Sequence, residues 1–176
     1  MSESGVLRVL VPEDAEALAD LWARDRAHLD PWSPAHRPEF YTVAGQLELV
    51  ERRLVAQAEG RAAAFAIVES GEVVGEITLT DVVRGSFQNG HVGYWLASWA
   101  QGRGLATRAV AELTHHAFDV LGLHRLQAAT LVHNTRSQAV LTRTGFTRIG
   151  LAPSYLRIAG RWQDHLLFQR LDERDV

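Results

Sequence analysis

Val92–Val110, VGYWLASWAQGRGLATRAV, is the stretch whose reading decides the fold. Val92-Gly93-Tyr94-Trp95-Leu96-Ala97 is a nearly continuous aliphatic and aromatic run, the pattern of a buried strand. Gln101-Gly102-Arg103-Gly104 interrupts it, and from Leu105 the spacing becomes helical. Ala106, Ala109, Val110, Leu113, Ala117 and Leu121 then fall on one face. Glycines at 102 and 104 let the backbone turn tightly and leave N–H groups open to a ligand. With the positive end of the helix dipole, those groups form an anion site suited to a phosphate or pyrophosphate. Arg103 and Arg108 would add charge-assisted hydrogen bonds. An ordinary strand-to-helix connection is the plain alternative. Two familiar phosphate loops are excluded. The P-loop needs a lysine, and the chain has none; the dinucleotide fingerprint needs a small residue where Thr107 stands.

Working outward, Val6–Val11 reads as a short strand, and Pro12-Glu13-Asp14 opens a helix to about Ala27. His28–Pro34 is a proline-broken loop that continues irregularly through Pro38 and Phe40-Tyr41. Thr42 can cap a second helix through Ala58. Ala62–Glu69 and Glu72–Val82 form a hairpin around Ser70-Gly71. Beyond the long helix, with Gly122 as its cap, come a strand at Arg125–Val132 and a short helix at Thr135–Thr144. Strands at Phe146–Ala152 and Trp162–Leu171 follow. The order is that of a layered α+β domain, and 176 residues suit a single domain with its core at about 6–171.

Composition narrows the function. Without cysteine there can be no disulfide, thiolate metal site or thiol nucleophile. Met1–Gly5 lacks a signal peptide's basic start, and no apolar run is long enough to span a membrane, which points to a cytoplasmic protein. A net charge of −3 without a contiguous basic run argues against nucleic-acid binding. Metal binding is not expected: His115 and His116 are adjacent, no His-x-x-x-His pair exists, and His124 and His133 bracket a strand.

Gln101-Gly102-Arg103-Gly104-Leu105-Ala106 resembles the Gln/Arg-x-x-Gly-x-Gly/Ala signature of the GNAT superfamily of N-acetyltransferases. Ile77–Gly85, Val92–Leu96, Leu123-His124-Arg125 and His133-Asn134-x-x-Ser137 are similar to the RimJ/RimL group, which acetylates ribosomal-protein N-termini. So are Gly145-Phe146, Tyr155-Leu156 and Gly160-x-Trp162-x-Asp164-His165. The resemblance spans Val6–Leu171. It implies a central mixed, mostly antiparallel sheet flanked by helices, with acetyl-CoA as co-substrate. Gln101 to Thr107 would wrap the pyrophosphate, and the backbone of Trp95, Leu96 and Ala97 would hold the pantetheine arm.

Acetyl transfer from a thioester to an amine needs an oxyanion donor and help for the leaving thiolate. No serine nucleophile elbow is present, which fits direct attack in a ternary complex. The resemblance gives the oxyanion role to the Leu96 N–H, the pantetheine contact to Asn134 and the place near the sulfur to Ser137. Plain burial and helix capping are the alternative readings. Many members of the wider family carry a tyrosine acid seven residues after this asparagine, where Leu141 stands, which leaves Ser137 or a water. Glu76 is the candidate base, set against a reading as a solvent-facing strand residue. An α-amine of pKa ~7.7–8 is roughly a tenth neutral at pH 7, against a few parts in ten thousand for lysine, so a weak base suits an α-amine. Tyr155, also a catalytic candidate, is placed around the acceptor with Asp164, Trp32, Phe40 and Tyr41. Acceptors of two kinds fit, a protein N-terminus such as that of a ribosomal protein or a small amine, and a non-catalytic acyl-CoA-binding domain is the third reading. Both a monomer and a homodimer remain open.

Overall fold

The structure, a computed structural model, describes residues 5–175. In chain order its elements are β1 (Leu7–Val9), α1 (Asp14–Arg24), α2 (Arg26–Leu29), α3 (Val43–Ala58), β2 (Ala63–Glu69), β3 (Glu72–Val83) and β4 (Asn89–Leu96). They continue with α4 (Leu105–His115), β5 (Arg125–Leu131), α5 (Thr135–Arg143), β6 (Thr147–Ile158) and β7 (Arg161–Leu171). All seven strands join one sheet, in the order β1-β2-β3-β4-β5-β7-β6. Every pairing is antiparallel except β4 with β5, so the expected mixed, mostly antiparallel sheet is found.

Strand alternation assigns the two faces. Phe65, Ile67, Ile77 and Leu79 point to the side covered by α4, where Leu105, Val110 and Leu113 complete the main core. Ala64 and Ala66 point the other way, against Leu18 of α1 and Val50 of α3. Glu76 shares that second face. Gly75 is forced by close approach: a Cβ there would lie 2.2 Å from the Trp95 carbonyl oxygen.

Several boundaries differ from the sequence expectation, each for a local reason. The first helix stops at Arg24 and resumes as α2, because the Asp25 carboxylate turns away to Ser98, accepting from its N–H and from its Oγ at 2.7 Å. The proline-broken segment carries two 3-10 turns, Asp30–Trp32 and Pro38–Tyr41, each opened by a proline. Thr42 does cap α3, its hydroxyl accepting the Gly45 N–H at 3.1 Å. The long helix is regular only to His115 and finishes in one π turn, His116–Val120, before Gly122 at φ +62°. The strand expected at Phe146–Ala152 runs on to Ile158 across an irregularity, where Ser154 sits at φ +47° and gives its N–H to Asp164 Oδ1 at 2.8 Å.

Candidate active site

The parallel β4–β5 pairing holds for three residue pairs only, Asn89–His91 against Arg125–Gln127. Beyond it the strands separate, and the gap is the floor of a cleft of about 1340 Å³. Val92–Leu96 and Ala128–Leu131 line its two sides, and α5 closes one end. The N–H groups in this gap follow from strand geometry. Ala97 gives its N–H to Val74 of the β3 side at 2.9 Å. Alternation then turns the Leu96 N–H the other way, into the gap. Ala97 is fully buried with its N–H engaged, so it offers a ligand no donor.

Next in the chain comes the turn. Gly102 and Gly104 both take φ +77°, where a Cβ would meet nothing, so they are required by conformation and not by crowding. Gly104 occupies the N-cap of α4 with no side-chain cap, and the first intrahelical bond there is Arg108 N–H to Gly104 O. The N–H groups of Leu105, Ala106 and Thr107 therefore have no partner within the helix, the arrangement that holds an anion. Gln101, Gly102, Gly104, Ala106 and Thr107 line the cleft. The Leu105 side chain instead packs in the core, and Arg103 turns outward to Glu69 at 2.9 Å and the Trp99 carbonyl at 3.1 Å.

Asn134 caps α5, its Oδ1 accepting the Ser137 N–H at 3.1 Å. The Ser137 hydroxyl lies 2.8 Å from the Tyr94 hydroxyl, which also donates to the Ser137 carbonyl at 3.2 Å. Burial raises the Tyr94 phenol to about 12, so it holds its proton at every physiological pH. Leu141, where the wider family carries its tyrosine, is fully buried in the core.

The opposite wall is built from side chains. Glu76 is not solvent-facing: it is 2% exposed, paired with Arg53 of α3 and accepting from Trp95 Nε1 at 3.2 Å. Trp95 packs on Trp22, and Trp22 on Phe40, with centroids 4.9 Å apart in each pair. His36 stacks flat on Phe40 at 3.6 Å, with its Nε2 buried and unpartnered; burial lowers its pKa, which keeps it neutral. Trp32 faces His133 across the mouth at 5.4 Å. Tyr41 does not join this wall: its hydroxyl donates to Asp30 at 2.8 Å while Arg26 covers its ring. Asp164 braces the β6 irregularity, and Tyr155 stands outside the cleft beside His165, 5.8 Å between rings.

Against protein-family models, residues 6–147 match the acetyltransferase (GNAT) domain. The chain belongs to the GNAT acetyltransferase family. Among curated GNAT relatives, it is 32% identical to the Escherichia coli [ribosomal protein uS5]-alanine N-acetyltransferase, across 92% of this chain and 84% of that one. Mycobacterium smegmatis RimJ, solved in complex with CoA-disulfide, superposes with a TM-score of 0.92 at 34% identity, covering 96% of this chain and 82% of that chain. The ribosomal-protein-S5-alanine acetyltransferase of Vibrio fischeri superposes at 0.90 with 32% identity, covering 95% and 92%.

Within this GNAT cleft, sequence reasoning missed Tyr94, Arg53, His36, Arg136 and Arg143. Tyr94 had a signal, since it alternates with Trp95 and so faces α5. Arg136 and Arg143 are seven apart on α5, one helical face, and both line the cleft. Among the described residues no cluster of three His, Asp or Glu able to hold a metal occurs, and no helix is long and apolar enough to cross a membrane.

Proposed function

We propose that the protein moves an acetyl group from acetyl-CoA to the N-terminal α-amine of a protein, a ribosomal protein of the cytoplasm in particular. The observation that carries this is the coincidence of three features on one cleft. They are the opened β4–β5 gap, the uncapped α4 N-terminus behind two left-handed glycines, and an aromatic acceptor wall. Acetyl-CoA fits these residues: the α4 N–H groups and Arg136 suit its phosphates, and an extended arm fits along β4. The names of the relatives support the acceptor.

The thioester supplies an acyl group already activated for attack. The Leu96 N–H is placed to stabilise the charge that grows on its carbonyl oxygen. Ser137, its hydroxyl held by Tyr94, bonds the departing sulfur and relays to it the proton that the attacking amine loses, so the hydroxyl ends the step as it began it. A phenol raised to about 12 stays protonated, so Tyr94 positions the Ser137 hydroxyl by hydrogen bonding and is not itself the acid. Glu76 anchors the acceptor wall, because both its oxygens are already engaged by Arg53 and Trp95. A base of low strength then suffices, which favours an α-amine over a lysine.

The test is thiol release from acetyl-CoA in parallel against N-terminal Ala and Ser peptides and a panel of small amines. Turnover on peptides is the expected result. Turnover on a small amine alone would overturn the acceptor assignment and leave the acetyltransferase in place.

A further inference from the structure

The net charge of −3 hides a strong segregation. Residues 120–163 contain six arginines and no aspartate or glutamate, while the rest of the chain sums to −9. The two sets of arginines behave differently. Of the twelve outside this span, eight (Arg8, Arg24, Arg26, Arg52, Arg53, Arg61, Arg103 and Arg174) are ion-paired. Within it, among the described residues, no arginine is. Arg136 bonds the Gln101 amide oxygen at 3.1 Å, Arg157 bonds the Gly160 carbonyl at 3.0 Å and Arg125 bonds Gln169. Five of the six, Arg136, Arg143, Arg148, Arg157 and Arg161, are exposed.

Arg136 and Arg143 line the cleft and are accounted for by the phosphates of a bound acyl-CoA. Arg148, Arg157 and Arg161 are not, because they lie on the β6–β7 hairpin outside it. That hairpin carries exposed aromatics as well. Trp162 is 65% exposed and directly opposite Arg157 across the ladder, so indole and guanidinium share one face; Tyr155 is 37% exposed. Arg148 lies opposite Phe168 and Arg157 opposite Trp162, so the two arginines stand six β7 residues apart, about 20 Å along the ladder. Arg157 and Trp162 share one face of that ribbon and Arg161, opposite Ile158, projects from the other. A ribbon of that length carrying unpaired cations and open aromatic rings matches a phosphate backbone with unstacked bases better than a compact acidic patch on a protein. The hairpin also borders the acceptor end of the cleft. Leu156 and Ile158 line it on either side of Arg157, and the Ala159 N–H bonds the Ser33 carbonyl of the opposite wall at 2.9 Å.

We infer that the β6–β7 hairpin is an RNA-docking surface, so that the acceptor is met on, or next to, RNA. The binding step stands apart from the acceptor assignment; only its consequence for the acceptor rests on the proposed N-terminal acetyltransferase reading.

The experiment is binding of the full chain, saturated with CoA, to a short single-stranded RNA at several salt concentrations. It is run beside the triple variant Arg148→Ser, Arg157→Ser, Arg161→Ser. Three phosphate contacts predict a log–log salt slope of about −2 for a single strand. The triple variant is expected to lose that slope and bind at least tenfold more weakly, with acetylation of a free peptide unchanged, which also shows that it folds. Four outcomes would overturn the inference. One is no RNA binding once CoA fills the cleft, and another is equal binding by the variant. The others are equal or tighter binding of a polyglutamate peptide, which would make the partner an acidic protein, and equal or tighter binding of anionic phospholipid vesicles. Because peptide turnover is read separately, failure of RNA docking and failure of the acceptor assignment are distinguishable.

Discussion

The wall of the cleft formed by β4, the 101–104 turn and the start of α4 presents backbone, whereas the facing wall presents side chains. In the first, the groups that face the cleft are N–H donors aimed by an opened strand pair and by two glycines at φ +77°. In the second they are Trp22, Trp32, His36, Phe40, Arg53 and Glu76, drawn from elements far apart in the chain. A wall of backbone is common to any chain that makes the same turn, so it suits a ligand shared by many enzymes. A wall of side chains can be rewritten residue by residue, which suits the partner that differs among them.

Substitutions separate the two walls. Gly104→Asp brings a carboxylate to the uncapped α4 N-terminus, at a backbone conformation that Asp tolerates better than most residues. Like-charge repulsion of about 4 kcal/mol predicts acetyl-CoA binding weaker by on the order of 100-fold or more, with the far-ultraviolet spectrum retained. Titration calorimetry checks it, and unchanged affinity would remove the turn from the site. Next in size is Arg53→Met, which strands the Glu76 carboxylate at 2% exposure. Breaking a buried pair in this way costs about 3 kcal/mol, and a urea melt should show it. Glu76→Gln should also lower stability, yet leave the acid limb of the rate profile where it is. A displaced acid limb would restore Glu76 as the base.

Tyr94→Phe tests the donor wall through pH. The folded pKa is raised to about 12 against an ordinary value near 10, so the native state holds this proton more tightly than the unfolded chain does. Stability from this group is complete below pH ~10 and is lost as pH climbs toward 12, about 2–3 kcal/mol in all. The Phe variant should show a shallower loss over that window, and an identical loss would contradict the buried, protonated phenol. The smallest effect belongs to Trp32→Ala at the mouth. Losing one partly exposed ring, about 1 kcal/mol, should raise the KM for a peptide roughly fivefold and leave that for acetyl-CoA alone. A change in the acetyl-CoA value would merge the two walls into one.

Those differences also explain what could be read before the fold was known. The turn was legible because Gln101-Gly102-Arg103-Gly104 is contiguous and its glycines answer a local conformational demand. Leu96 was legible as an N–H donor by resemblance, and its direction follows from the Ala97–Val74 bond. Glu76 was open between two readings because its burial depends on Arg53, 23 residues earlier on a helix that folds over it. The role of Arg103 misled for the same reason: its partner Glu69 closes a different hairpin. Tyr41 sits among aromatic residues in sequence, but its hydroxyl is claimed by Asp30 in space. The second half of β6 was missed because Pro153 and the left-handed Ser154 break its alternation.

The three residue pairs that join β4 to β5 have a consequence for handling the protein. They divide the sheet into two contiguous pieces, β1–β4 from residues 7–96 and β5–β7–β6 from residues 125–171, stitched along a short seam. A ligand that lay in the gap and bonded both pieces would act as a rivet across the seam. At 100 times its dissociation constant it adds about 2.7 kcal/mol, which for a chain of this size moves the melting temperature by roughly 5–10 °C. A melting curve of the purified protein, recorded over a range of acyl-CoA concentrations, would then read that affinity with no label and no knowledge of the acceptor.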